Sequence, residues 1–466
     1  METVAKTLRD SKAARWTALC IVSFTMMCGY LMADVMAPLK PMLESALGWD
    51  SENYGLFTSA YGWFNVFFLM LFFGGLILDK MGMRFTGILS TALMVIGAAI
   101  KYWAISNVTL QAADWHFLWW TANMQVWMAG LGFAVFGVGV EVAGITVTKI
   151  IVKWFSGKEM ALAMGLQVAM ARIGTLMAML FSKRIADHFG MVSTPVALSL
   201  ALLCIGLISF LVYVVMDIRL DRSELATVSA AAEEPFRMAD IGVILRSNGF
   251  WLIAILCLLF YSAVFPFLKY APDLMVNKFN IEDFALFGIK IKSGDVPALL
   301  PMGTLILTPF FGNLYDRIGK GATIMIAGSL MIVIIHALFS IPAFNAVWIA
   351  LTLCILLGVA FSLVPSAMWP SVPKIIPNKQ LGTAYSLIFY IQNWGLMGAP
   401  YLIGSILDKH CIVGQRIIDG KLQNIYDYTL PMVIFTAFGL AAFIVALLLK
   451  REDKRKGYGL ESPNIK

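Results

Sequence analysis

Two residues of opposite charge stand inside long apolar runs: Glu141 within Met124–Val147 and Arg172 within Met160–Phe181. Glu141 lies sixteen residues before Gly157, and Arg172 lies fifteen after it. If both runs are helical and the glycine marks the turn, each charge sits ~20 Å from that turn at ~1.5 Å per residue. Antiparallel neighbours at matching depth can form a salt bridge that braces the two helices. They can equally flank one ligand, the carboxylate taking an ammonium and the planar guanidinium fork taking a carboxylate. That second arrangement suits a zwitterion.

Other polar groups interrupt apolar runs. Asp34 precedes Pro38 and Pro41, which break or bend a helix, so it either binds an amine or caps that break. Lys269 stands near a run's end, where a lysine is expected to snorkel to the interface. His336 is expected to be a hydrogen-bonded structural residue. Hydrogen-bonding aromatics and amides recur at Tyr30, Tyr61, Asn65, Gln167, Tyr261, Trp369, Tyr385, Gln392 and Asn393, and are candidates to line a substrate cavity. There is no HExxH, GxSxG or Walker A motif, so neither an enzyme nor a self-contained ATP-driven pump is indicated. Cys20, Cys28, Cys204, Cys257 and Cys354 fall inside apolar runs, only Cys411 lies in a loop, and no spacing matches a metal site or a disulfide framework. No cofactor is expected.

The elements that hold these residues follow from composition. Of 466 residues, 60% are apolar and 14% charged, whereas soluble domains carry about a quarter charged residues. The apolar residues fall into twelve runs: Trp16–Ala37, Tyr54–Leu78, Phe85–Ile105, Met124–Val147, Met160–Phe181, Pro195–Met216, Phe250–Leu268, Val296–Leu314, Ala322–Ile341, Val347–Pro370, Gly382–Leu407 and Leu430–Leu449. Each approximates the ~20 residues that cross ~30 Å of hydrocarbon as a helix. The expected fold is an all-α membrane protein. With the N-terminus placed inside, the inner segments carry 23 Lys/Arg and the outer segments 11, with Arg172 left over. This positive-inside bias makes both termini cytoplasmic. The net charge of +7 is a topology signal spread over many loops, so no nucleic-acid partner is expected. The first run is too long for a signal-peptide core and is expected to be retained.

The chain divides in two. Residues 1–216 hold six runs, the polar segment Asp217–Asn248 reads as a cytoplasmic linker, residues 249–449 hold six more, and residues 450–466 form a tail. Gly75-x-x-x-Asp79-Lys80-x-Gly82-x-Arg84 follows the second run, and Gly312-x-x-x-Asp316-Arg317-x-Gly319-Lys320 follows the eighth. A motif repeated at equivalent places indicates parallel structural repeats. Its glycines permit sharp turns, and Asp79, Arg84, Asp316 and Arg317 are placed to hold the halves together at the cytoplasmic side.

This motif pair resembles the signature loop of the major facilitator superfamily, with Lys80 where arginine is usual. The resemblance implies two six-helix bundles and rocker-switch alternating access. Tyr61-Gly-Trp63-Phe-Asn65, Gly137-Val-Gly-Val-Glu141, Trp154-Phe-x-Gly-Lys158-Glu159 and Gly165-Leu-Gln167-x-x-Met-Ala-Arg172-Ile-Gly174 are similar to stretches of its lysosomal dipeptide transporter group. So are Val264-Phe265-Pro266-Phe267, Trp369-Pro370, Leu381-Gly-Thr-Ala-Tyr385 and Ile391-Gln392-Asn393. The resemblance implies a carrier of dipeptides or similar small zwitterions, with Glu141 and Arg172 at the site. A carrier of another small anion, such as nitrate, an organic acid or a sugar phosphate, would use Arg172 alone. A non-transporting membrane receptor would tolerate loss of the charge pair. The expected partners are a small solute and the bilayer, with any accessory membrane protein unidentified. No acidic dileucine signal stands in the N-terminal tail, so plasma (inner) membrane residence is expected rather than lysosomal.

Overall fold

The computed structural model describes residues 8–117, 120–155, 159–224, 238–281, 284–286, 288–377, 380–418 and 421–463. Gly157, Lys158 and linker residues 225–237 lie outside the described residues. All twelve apolar runs fall mainly in helices, the second with breaks. Nine helices are long and apolar enough to cross a membrane among the described residues.

The first run is α1 (Lys12–Asp34), which gives way at a 3-10 turn Ala37–Leu39 to α2 (Lys40–Leu47). Pro38 and Pro41 occupy first-turn positions, where a missing N–H costs nothing. The second run is broken into α3 (Ser51–Ser59), a 3-10 turn Ala60–Gly62, α4 (Trp63–Phe67) and the start of α5 (Met70–Ser106). The third run completes α5 beyond Gly82, whose φ of 79° and ψ of 170° interrupt the helix. The N-terminal bundle is finished by α6 (Met124–Phe155), α7 (Met160–Phe189) and α8 (Ser193–Glu224). After the short α9 (Met238–Leu245) come α10 (Asn248–Phe279), α11 (Leu299–Ile318), α12 (Gly321–Ser340), α13 (Val347–Ile375), α14 (Leu381–His410) and α15 (Thr429–Lys456). Three two-stranded antiparallel hairpins, β1–β2 (Asp114–Phe117, Trp120–Asn123), β3–β4 (Ala285–Leu286, Ile289–Lys290) and β5–β6 (Ile412–Ile418, Lys421–Tyr426), occupy loops on the face opposite the termini.

The repeated motif has a backbone cause. Gly82 and Gly319 stand at equivalent motif positions, and both have positive φ, 79° and 66°. Any Cβ is disfavoured there. The ends of the two halves are stapled differently. Asp217 and Asp221, one turn apart on α8, both take Lys153 and Arg84; the Lys153 contacts are 2.8 and 2.7 Å. Helix α8 therefore runs into the segment read as linker, and Asp217 is buried. In the second half Glu461 accepts from the Thr323 N–H at 2.9 Å and its hydroxyl at 2.8 Å, so the tail is packed on α12 rather than free.

The two faces differ. Opposite the termini, ion pairs join the bundles: Lys40–Asp273 at 2.7 Å, Lys269–Asp34 at 2.5 Å, Arg184–Asp295 at 2.5 Å, Lys292–Asp187 at 2.6 Å and Lys409–Glu52 at 2.8 Å. On the termini face, Arg84–Asp217, Lys149–Asp79 and Arg15–Glu159 each stay within the N-terminal bundle, and Lys450–Glu461 stays within the other. Asp79 and Arg84 thus make no seam between bundles through these pairs. Asp316 is half-buried and Arg317 exposed. Among the described residues, the ion pairs named here that join the bundles all lie on the face opposite the termini.

Lys40 and Asp273 are both nearly buried, so removing one partner strands the other charge at a cost of several kcal/mol. Because the pair spans the bundles, the loss falls on this closed seam. Asp273→Asn is expected to speed labelling of a cysteine at Met397, which faces Gly62 across the seam, by a reagent applied opposite the termini. The background is one in which native cysteines are replaced. Unchanged labelling would show that the pair does not latch the face.

Candidate functional site

Glu141 sits on the face of α6 that meets the break in the second run. There Tyr61, in the 3-10 turn, donates its hydroxyl to Glu141 Oε1 at 2.8 Å. The approach depends on Gly137, one turn before Glu141: a Cβ there would lie 2.2 Å from the Tyr61 carbonyl oxygen. The spacing Gly137-x-x-x-Glu141 therefore admits a backbone and aims a carboxylate at the same place.

Arg172 projects from α7 into a box of aromatic rings. Its guanidinium carbon lies 4.9 Å from the Phe361 ring centroid, 5.5 Å from Phe265 and 5.8 Å from Tyr30. Cation–π contact satisfies the charge without consuming N–H donors. No ion pair joins Arg172 to Glu141 among the described residues; both line a single cavity of about 360 Å³ instead. Of the two arrangements open from sequence, flanking a shared space is the one present.

The cavity walls repeat at helical spacing. Helix α1 contributes Met26 and Tyr30, α10 Tyr261 and Phe265, α11 Thr304 and Thr308, and α13 Phe361, Pro365 and Trp369, each set four residues apart. Helix α14 adds Phe389 and Gln392, and Gln167 lies on α7 beside Arg172. Trp369 Nε1 donates to the Tyr261 hydroxyl at 3.1 Å, fixing the far wall. The cavity reaches the exposed Thr148 on the inner part of α6, so it opens toward the termini face.

The structure thus brings Glu141, Arg172, Tyr30, Gln167, Tyr261, Trp369 and Gln392 together. It places the other candidates elsewhere. Tyr61 stands behind Glu141. Tyr385 donates to the Trp369 carbonyl at 3.3 Å and stands behind that ring. Asn65 and Asn393 are buried and meet each other across the bundles at 3.4 Å, out of the cavity. Asp34 is held by the Thr175 hydroxyl at 2.7 Å and by Lys269. Lys269 does not snorkel: it reaches Asp34 and the Ala33 carbonyl at 2.7 Å, because an acid and a helix end of the other bundle are nearer than water. His336 is buried with Nε2 3.1 Å from the Ala263 carbonyl oxygen, as expected of a structural residue. Sequence reasoning passed over Phe361 and the role of Phe265, though Phe265 follows Tyr261 by one turn. It also passed over Lys101, fully buried, which donates to the Met32 carbonyl at 3.0 Å and lies 4.7 Å from the Phe133 ring centroid.

Two glycines on α6 separate fold from site. Gly137→Ala must displace Tyr61 and is expected to lower stability by about 1–3 kcal/mol. Gly144→Ala, whose new Cβ would find only Met26 Cε at 3.9 Å, is expected to be tolerated. Thermal unfolding in detergent checks both. Equal losses would mean the close approach at Gly137 is not what holds Tyr61.

The chain is 30% identical over 406 residues to the Lysosomal dipeptide transporter MFSD1 of Bos taurus, covering 85% of this chain and 80% of that one. It is also 30% identical over 407 residues to the Homo sapiens protein of the same name, covering 85% and 81%. Among solved structures, a POT family transporter in complex with a thioalcohol conjugated peptide superposes with a TM-score of 0.65 at 14% identity, covering 94% of this chain and 96% of that one. The nucleoside transporter NupG superposes with a TM-score of 0.64 at 13% identity, covering 94% and 99%. These two likenesses show the fold. The family model described as Major Facilitator Superfamily matches residues 20–400, so this chain, a multi-pass membrane transporter and not an enzyme, belongs to the Major Facilitator Superfamily.

Proposed function

We propose that this transporter carries dipeptides or similar small zwitterions, Glu141 receiving the ammonium and Arg172 the carboxylate. The observation that carries the proposal is that these two charges line one cavity without pairing with each other. An extended dipeptide separates its termini by roughly two residue lengths of ~3.5 Å each, more than an ion-pair distance. A site for it must therefore hold its two charges apart. A cavity of about 360 Å³ lies within the range of small-molecule sites. The name shared by the relatives points to the same substrate class.

Alternating access is the proposed mechanism. The present conformation is latched opposite the termini and open at the termini face. Both termini are assigned to the cytoplasm on the basic-residue bias, which makes this conformation inward-open. In the opposite conformation the ion pairs across the closed seam must part. Asp79, Arg84, Asp316 and Arg317 then lie where the bundles close on the cytoplasmic side. Residence in the plasma (inner) membrane is part of this proposal, while the relatives are named lysosomal.

The test pairs protein variants with modified ligands. Arg172→Lys keeps the charge but loses the planar fork, and Glu141→Gln loses the anion; each is expected to weaken dipeptide binding about tenfold or more. Amidating the ligand's carboxylate should cost affinity in the wild type and much less in Arg172→Ala, and N-acetylation should behave likewise with Glu141→Gln. Ligand-induced thermal shifts report each combination. Strictly additive penalties would mean that the charges brace the helices and do not touch the ligand.

A further inference from the structure

Arg172 belongs to the N-terminal bundle, yet its two nearest ring partners, Phe361 and Phe265, belong to the other. No hydrogen bond or ion pair fixes its guanidinium among the described residues. The rings are themselves held in a defined cluster. Phe265 stacks on Tyr261 with centroids 5.2 Å apart and planes at 12°, and meets Phe361 edge-on at 5.3 Å and 84°. Phe361 meets Tyr261 at 6.0 Å and 88°. Tyr261 is tied in turn to Trp369.

We infer that Phe361 and Phe265 are positioning residues for substrate recognition: they hold the Arg172 guanidinium by cation–π contact, so the bundle opposite Arg172 sets how well it takes an anion. The inference rests on the reading of Arg172 as the carboxylate ligand. The physical argument has two parts. An aromatic face attracts the cation through its quadrupole and leaves every N–H donor unspent, which keeps the fork available to a carboxylate. A flexible arginine held this way also loses less freedom on binding, which favours affinity. Because the rings ride on α10 and α13 while Arg172 rides on α7, relative movement of the bundles changes the box. Carboxylate affinity is then a property of the bundle arrangement as well as of the residue. Tyr30, from α1, is the ring that belongs to the same bundle as Arg172.

The test compares ring and non-ring side chains of similar bulk, using dialanine, dialanine amide and N-acetyl-dialanine as probes in ligand-induced thermal shifts. The wild type should prefer the free acid over the amide by about tenfold or more. Phe265→Leu together with Phe361→Leu should shrink that acid-to-amide preference by roughly fivefold, while Phe265→Tyr with Phe361 intact should keep it. The preference for dialanine over N-acetyl-dialanine, which reports the Glu141 end, should stay unchanged in all variants. General damage to packing would lower both preferences together. Should the double variant not fold, Phe265→Leu alone, at a half-buried position facing the cavity, carries the same comparison. An acid-to-amide preference unchanged in the leucine variants, or one that falls in step with the N-acetyl preference, overturns the positioning role and leaves the substrate reading standing. A wild type that binds dialanine and its amide equally overturns both.

Discussion

A charge buried in low dielectric must find a partner or be neutralised, and that constraint orders this molecule. Asp34 is taken by Lys269 and Thr175, and Lys40 by Asp273 and Ser51. Lys101 caps the Met32 carbonyl and lies against Phe133. Arg172 and Glu141 stand apart from this pattern. Among the described residues, Arg172 is met by rings alone, and Glu141 by one tyrosine hydroxyl. Their incomplete satisfaction is what a binding site requires, because a ligand that completes it gains the interaction the protein has left open. The aromatic box and the Tyr61 hydroxyl keep the cost of that open state tolerable without closing it.

The same constraint shapes the seam. Lys269 and Lys101 both donate to carbonyls at the end of α1, where the helix gives way before Pro38 and the last carbonyls lose their intrahelical donors. One lysine comes from the same bundle and one from the other. Breaking α1 thus creates acceptors that the opposite bundle helps to satisfy, so the kink and the latch are one device. The termini face is arranged differently: Arg84 and Lys153 spend themselves on Asp217 and Asp221 within the N-terminal bundle, and Glu461 staples the second half to its own tail. Among the described residues, these pairs join the bundles on one face and stay within a bundle on the other, and the cavity opens toward the latter.

Much of this was legible in the sequence. The apolar runs located all nine helices long and apolar enough to cross a membrane among the described residues, because length and hydropathy are properties of each segment alone. The repeated glycine motif located the turns at Gly82 and Gly319, whose positive φ explains the residue type. Counting from Gly157 placed Glu141 and Arg172 at one depth, and they do share a cavity. What was not legible depends on which faces meet across the bundles. Lys269 and Asp34 are 235 residues apart, and no local pattern distinguishes a snorkelling lysine from one that reaches an acid on another helix. Asn65 and Asn393 have the composition of cavity residues, yet they close a contact between bundles, because amides suit both roles. Phe361 looks in sequence like any apolar residue of its helix. Only the fold shows that it lies against a cation carried on α7.

The central claim is that the cavity carries a zwitterion held at both ends across the membrane. Counterflow in proteoliposomes tests it most directly. Vesicles bearing the protein are loaded with unlabelled dialanine and diluted into radiolabelled dialanine at the same pH on both sides. Transient accumulation of label inside, abolished when the loaded solute is dialanine amide or N-acetyl-dialanine, is the predicted result. Failure of dialanine to exchange while nitrate or a simple organic acid does so would show that Arg172 alone reads the substrate, and would contradict the account.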